Sequence, residues 1–166
     1  MSNLIEYIRH IFKRSEQFPL REQWTLTARN IKTGETIVIK GKNLIATVGK
    51  GLVGDMLIDT SGFDTGLTWQ AIGTSTTAPA VGDTQLTAEA ARLAITSRTR
   101  NGNVITLSTF FTAAQCTYNF KEAAIFGHST ANATPNSGII FSHYLVSFDN
   151  SGGLYDITLD YVLTLG

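Results

Sequence analysis

The chain is predicted to be mainly β: an antiparallel β-sandwich or barrel of seven to eight strands, with an N-terminal amphipathic helix and one short helix near 48–58. Three observations predict it. Downstream of Pro19, apolar residues recur mostly with period two, the period of a half-buried strand. Turn-forming clusters punctuate these runs at regular intervals. Charged residues make up only 16% of the chain, against about 25% in ordinary soluble domains, and Thr, Ser, Gly and Ala take their place.

The first segment has helical spacing. Leu4, Ile5, Ile8, Ile11 and Phe12 form one apolar stripe. Ser2 or Asn3 can cap it, Glu6 sits in the first turn, and Arg9, His10, Lys13 and Arg14 crowd the later turns, where the dipole favours cations. Pro19 bars continuation. The expected organisation is therefore a docking helix over 1–19 and a β-domain over 20–166. The stripe has three competing destinations, the chain's own domain, a partner subunit or a membrane surface, and membrane insertion is not expected. Charges interrupt every apolar run near the N-terminus, so no signal-peptide layout is read, and no stretch approaches the roughly 18 apolar residues of a span.

The strands follow in order. Trp24, Leu26 and Ala28 alternate with polar residues, Lys32-Thr33-Gly34-Glu35 turns the chain, and Ile37-Val38-Ile39 returns it as a hairpin. A helix is expected over 48–58, weakened by Gly49, Gly51 and Gly54, which would let it lie close against a sheet. Strands are expected over 67–72, 93–100, 104–111, 118–126, 139–148 and 154–165. Asn101-Gly102-Asn103 is the strongest hairpin signal. The run from Ile157 onward alternates cleanly.

The formal net charge is zero, so no global field steers the chain to nucleic acid or an anionic surface. Arg98, Arg100 and Lys121 could make a small basic patch, but aromatics are not interleaved with them as in a single-strand binder. A lone cysteine, Cys116, excludes an intramolecular disulfide and reads as a buried small hydrophobe. His10, His128 and His143 lack a second ligand at metal spacing, and Asp55, Asp59 and Asp64 do not match a calcium loop. No cofactor is expected. His143, in an apolar strand, reads as a packed or interface side chain, and His128 as solvated.

No serine sits in a G-x-S-x-G turn. Glu89 and Glu122 are the tempting carboxylate pair for glycoside cleavage, and sequence cannot place them face to face. A structural reading is preferred. Glu89 and Arg92 are three apart and suit a salt bridge on a turn or short helix. Glu122 enters an apolar strand and needs a partner, expected to be Arg92 or Arg98, fixing strand register. Trp24, Trp69, Tyr118, Tyr144 and Tyr155 read mostly as core, although they could stack on a sugar.

Residues 71–86, AIGTSTTAPAVGDTQL, have no apolar periodicity and no obvious catalytic group. Pro79 restrains the loop, Asp83 and Thr84 can satisfy its backbone, and Leu86 is expected to pin its far end. Thr74, Pro79, Asp83 and Leu86 are its candidate interface residues. This loop, Asn43-Leu44-Ile45 with Gly49-Lys50, Glu89 with Ala91-Arg92, the hairpin SRTRNGNVITLSTFF and KEAAIFG together resemble small structural, tail-fibre-like proteins of tailed-phage virions. The likeness runs from about Asn43 to Leu165. It departs conservatively where relatives show Glu-Ala/Val-Gly and this chain has Glu122-Ala123-Ala124.

The resemblance implies a non-enzymatic β-rich virion component, associated with tail, fibre or baseplate and forming a homotrimer or another symmetric oligomer with itself and with other virion proteins. A capsid decoration protein is the alternative within that class, and a module binding host surface glycan is the alternative outside it. Burial of Leu4, Ile5, Ile8, Ile11 and Phe12 on another chain, with pairing at sheet edges, is the expected mode of assembly.

Overall fold

A computed structural model describes residues 20–41, 43–58 and 66–166. The expected N-terminal helix with Leu4, Ile5, Ile8, Ile11 and Phe12, and also Asp59 and Asp64, lie outside the described residues.

Ten strands and one α-helix follow one another among the described residues: β1 (Leu20–Asn30), β2 (Thr36–Gly41), β3 (Leu44–Ile45), α1 (Thr47–Leu57), β4 (Leu67–Gly73), β5 (Glu89–Ala94), β6 (Ser97–Asn101), β7 (Val104–Phe111), β8 (Asn119–Gly127), β9 (Ile139–Asp149) and β10 (Tyr155–Leu165). They form two five-stranded sheets. Sheet A has the order β2-β1-β10-β7-β6, and sheet B the order β3-β9-β8-β4-β5. Every pairing is antiparallel. The count exceeds the seven to eight strands expected from sequence.

Part of the excess has a local cause. Residues 93–100 read as one strand, but the chain changes sheets in the middle of them. The Ile95 amide donates to Thr68 O of β4 (2.8 Å), and the next amide, Thr96 N–H, donates to Ser108 O of β7 (2.9 Å). Ile95 is buried in the core at this crossing. Alternation is blind to such a crossover, because one strand can end and the next begin without a turn residue.

Sheet A keeps the period of a strand with one wet face. Trp24, Leu26 and Ala28 of β1 and Ile157, Leu159, Tyr161 and Leu163 of β10 point inward, and the residues between them are more exposed. They meet Ile72, Phe120, Ala123, Ile125 and Phe141 of sheet B in one cluster. Trp24 lies near parallel to Tyr144 of the opposite sheet (centroids 5.9 Å, 6°) and edge-on to Tyr161 (5.2 Å). Each such large side chain contributes about 1.5–3 kcal/mol by leaving water.

Sheet B departs from the alternating pattern. β8 is buried almost throughout, because both of its faces are covered. Ala123 and Ile125 face sheet A, whereas Ala124 and Phe126 join Ala46, Ala71, Leu86 and Ile140 in a second cluster on the far side. Leu86 of the loop 74–88 and Ala46, the residue before α1, cover that cluster, whereas Leu52 and Val53 of α1 pack against the first. Helix α1 rests directly on β9: a methyl group at Gly49 would lie 2.7 Å from Phe141 Cα, whereas Gly51 and Gly54 face open space. Only the first of the three glycines is therefore needed for close approach.

Candidate functional site

The outer face of sheet B gathers the buried ionisable side chains of the motifs singled out above, and it does so in two clamps. The first begins with Glu122, which is fully buried. Strand parity places it on the outer face with Ala124 and Phe126. Pairing of Ala124 with His143 brings the imidazole of β9 to the same face. Glu122 Oε2 lies 3.1 Å from His143 Nε2, and Asp83 Oδ2 lies 2.7 Å from His143 Nδ1.

Asp83 comes from the loop 74–88, so the imidazole ties that loop to the sheet. Glu122 holds it a second time: its Oε1 accepts from Ala88 N–H (2.7 Å) and its Oε2 from Thr87 N–H (3.2 Å). Further bonds fix the rest. Thr74 N–H donates to Ala88 O at the foot of the loop, Thr47 N–H at the start of α1 donates to Val81 O, and Asp83 Oδ2 accepts from Ala80 N–H. Leu86 is wholly buried below, as expected of a pin. Pro79 is half-buried, and Thr74 and Val81 are exposed. Gly73 makes the approach possible, since a Cβ there would stand 2.5 Å from both Ala88 O and Glu122 Oε1.

The second clamp is Glu89 with Arg92. The guanidinium donates from Nε to Glu89 Oε1 (2.8 Å) and from Nη2 to Oε2 (2.9 Å). Its Nη1 reaches Ser137 O (2.7 Å), Ser137 Oγ (2.8 Å) and Asn132 O (3.2 Å), and its plane lies 4.2 Å from the Phe126 ring centroid. Glu89 Oε2 also accepts from Asn136 N–H (3.0 Å). The pair thereby fastens the loop between β8 and β9 beside the first clamp. Sequence reasoning set Glu89 and Arg92 on a turn or short helix; they stand on β5.

The expectation that Glu122 meets Arg92 or Arg98 is corrected. Arg92 is spent on Glu89 and on loop carbonyls, Arg98 is exposed on β6 of the other sheet, and Glu122 takes backbone amides and His143 instead. Glu122 fixes a loop on the sheet rather than a charge across strands. Arg98 and Arg100 sit on sheet A while Lys121 sits on sheet B, where its Nζ donates to Ser147 Oγ (3.1 Å). His143 and Asp83 as partners were missed. The one available signal was that an ionisable group in an apolar strand needs a counterpart; nothing periodic in 74–88 says that Asp83 is that counterpart.

Chemically, these groups are occupied. Both nitrogens of His143 face carboxylates, and its side chain is 2% exposed. Glu89 and Arg92 saturate one another with side chains 2% exposed. Among the described residues no group of three His, Cys, Asp or Glu side chains is placed to hold a metal ion. Cys116 is buried, and its thiol is directed at Thr112 O (3.0 Å). Burial pushes that thiol up to about 11, so little thiolate forms at neutral pH.

Of the aromatics considered for stacking, Trp24 and Tyr144 are buried in the core; Trp69, Tyr118 and Tyr155 are half-buried, with Trp69 packed on the outer cluster. A groove of about 570 Å³, open to solvent, runs between β2 and β9. Its lining includes Lys40, Lys121, Thr76 and Ser147, and no carboxylate. A smaller polar cluster sits at one end between the sheets, where Glu22 accepts from Ser142 Oγ (3.0 Å) and from Asn43 Nδ2.

Comparison with protein-family models, with curated proteins and with solved structures found no match to this chain.

Proposed function

We propose that this chain is a non-enzymatic structural protein of a tailed-phage virion, associated with tail, fibre or baseplate and assembled as a symmetric oligomer. The two-sheet body, a sandwich in this reading, is the exposed part, and the segment carrying Leu4, Ile5, Ile8, Ile11 and Phe12 is the attachment element. One observation carries the reading. The buried or half-buried ionisable side chains Glu89, Arg92, Glu122 and Asp83, all in stretches that resemble phage proteins, are spent on holding backbone and one another. A motif built from such groups conserves a surface shape, and a shaped, charge-poor surface suits contact with neighbouring subunits.

Immunogold labelling and quantitative mass spectrometry of purified particles encoding the chain test it. Copies in small multiples of three or six, located on the tail, are expected. Hundreds of copies on the head would make the chain a decoration protein instead, and absence from particles would remove the virion reading. Replacing Ile8 and Phe12 by Asp should release the protein from particles while the β-domain still folds; undiminished incorporation would refute the docking role of that segment.

A further inference from the structure

We propose that Asp83, His143 and Glu122 form a proton-held latch: both ring nitrogens of His143 carry hydrogen, and loss of one weakens the hold of the outer face of sheet B on the loop 74–88. The geometry sets the proton count. A neutral imidazole has one N–H and one lone pair. Here each ring nitrogen faces a carboxylate oxygen, Nδ1 to Asp83 at 2.7 Å and Nε2 to Glu122 at 3.1 Å. A neutral ring would set a lone pair against one of these oxygens, and beside the fully buried Glu122 such a mismatch is costly. The bridge therefore needs one more proton than a neutral imidazole and two carboxylates contain.

The carboxylates are poor places for that proton. Glu122 already accepts from Thr87 and Ala88, and Asp83 from Ala80, all backbone donors that bond best to an ionised group. The imidazole is the remaining site, and on opening the proton leaves to solvent water.

The surrounding charges leave this assignment intact: Glu89 and Arg92 of β5, beside the latch on the same face, neutralise one another in their own ion pair. β8 contributes Lys121 besides Glu122, and Lys121 is turned to Ser147. Helix α1 carries Lys50 and Asp55 and β2 carries Lys40; none makes an ion pair with the ring, and β3 and β4 carry no titratable group. The latch acts on a specific segment. Its two carboxylates hold the loop from the middle, through Asp83, and from the foot, through Thr87 and Ala88. The inference concerns this chain alone and stands whether or not the protein belongs to a virion.

The sign follows from proton linkage. The closed latch binds one proton more than the open one above the ordinary imidazole range, so raising pH favours opening. Amide exchange at Ala88, corrected for the intrinsic rate, should lose protection as pH rises above the ordinary imidazole value of about 6.5, by up to about tenfold per pH unit. Nitrogen-detected NMR should find both His143 ring nitrogens protonated at about pH 6 in the wild type. Glu122→Gln supplies the control. Its amide oxygen can still accept from Ala88 and its NH₂ can donate to a neutral ring, at the cost of the long Thr87 bond, so the pH dependence at Ala88 should vanish while Ala88 stays held. Flat protection at Ala88 in the wild type, a ring with a single protonated nitrogen at about pH 6, or an unchanged pH slope in Glu122→Gln would each overturn the latch.

Discussion

Glu89 and Arg92 lie three residues apart on one strand and still share a face. In a regular strand, residues three apart point to opposite sides. The register of β5 against β4 explains the exception: Ile72 pairs with Ala91, whereas Gly73 pairs with Glu89, leaving Ala90 as a bulge. The extra residue turns Glu89 to the side of Arg92, where the two meet in a fork. A spacing that suggests a helix is here produced by a strand with one residue too many.

Arg92→Leu should therefore cost about 3–5 kcal/mol, because it leaves the Glu89 carboxylate buried without its counter-charge. Urea denaturation measures it. The double change Glu89→Gln with Arg92→Leu should cost less than Arg92→Leu alone, since no unpaired charge remains. Arg92→Lys keeps the charge but loses the fork, so amide protection around Asn132 and Ser137 should fall. Equal stability of Arg92→Leu and wild type would show that the clamp does not hold the loop.

How much of this was legible in the sequence depends on what each residue's neighbours are. The hairpin of β1 and β2, the turn at Asn101-Gly102-Asn103, with Gly102 at φ +58°, and the alternation in β10 are local, and period and turn chemistry suffice to read them. The burial of Leu86 and the Glu89–Arg92 contact were legible from residue type and spacing. The crossing at Ile95 was not, since it leaves no turn residue. Nor were the partners of Glu122: its bonds reach Ala88 and His143, 34 and 21 residues away, and depend on which face of sheet B is roofed. A single sequence states that a buried carboxylate needs donors and is silent on which ones.

Two chemically identical changes in α1 should have opposite effects. Gly54→Ala places a methyl in open space on a helix and should stabilise by up to about 1 kcal/mol through helix propensity. Gly49→Ala gains the same propensity but drives the methyl against the Phe141 backbone, which cannot move as a side-chain tip can. A net loss of about 1–3 kcal/mol is expected. Thermal melts of the two variants decide it; a stabilised Gly49→Ala would mean that α1 does not rest on β9.

Cys116 should behave as a structural thiol. It is fully buried, donates to Thr112 O, and has the Asn150 amide beside it. With its thiol held up at about 11, alkylation at neutral pH should proceed only on unfolding. The labelling rate should then rise steeply with urea and follow the unfolding curve. Rapid labelling of the native protein would contradict this burial.

Glu22 offers a prediction whose sign is opposite to that of an ordinary paired carboxylate. Burial raises its carboxyl above the usual range, and this outweighs the hydrogen-bonding groups around it, Tyr161, Ser142 and Asn43, which act in the other direction. A carboxyl raised in the folded state holds its proton to higher pH than in the unfolded chain. From about pH 4.3 upward the folded state therefore binds more protons, and stability contributed at this position falls as pH rises through the raised value. Glu22→Gln retains an oxygen to accept from Ser142 and Asn43 without the charge. Its stability relative to wild type should be higher at about pH 7 than at about pH 4, where the wild-type side chain is already largely neutral. Urea denaturation at the two pH values measures the difference. An equal difference at both would mean that folding does not shift this carboxyl and that its desolvation is fully offset by the groups around it.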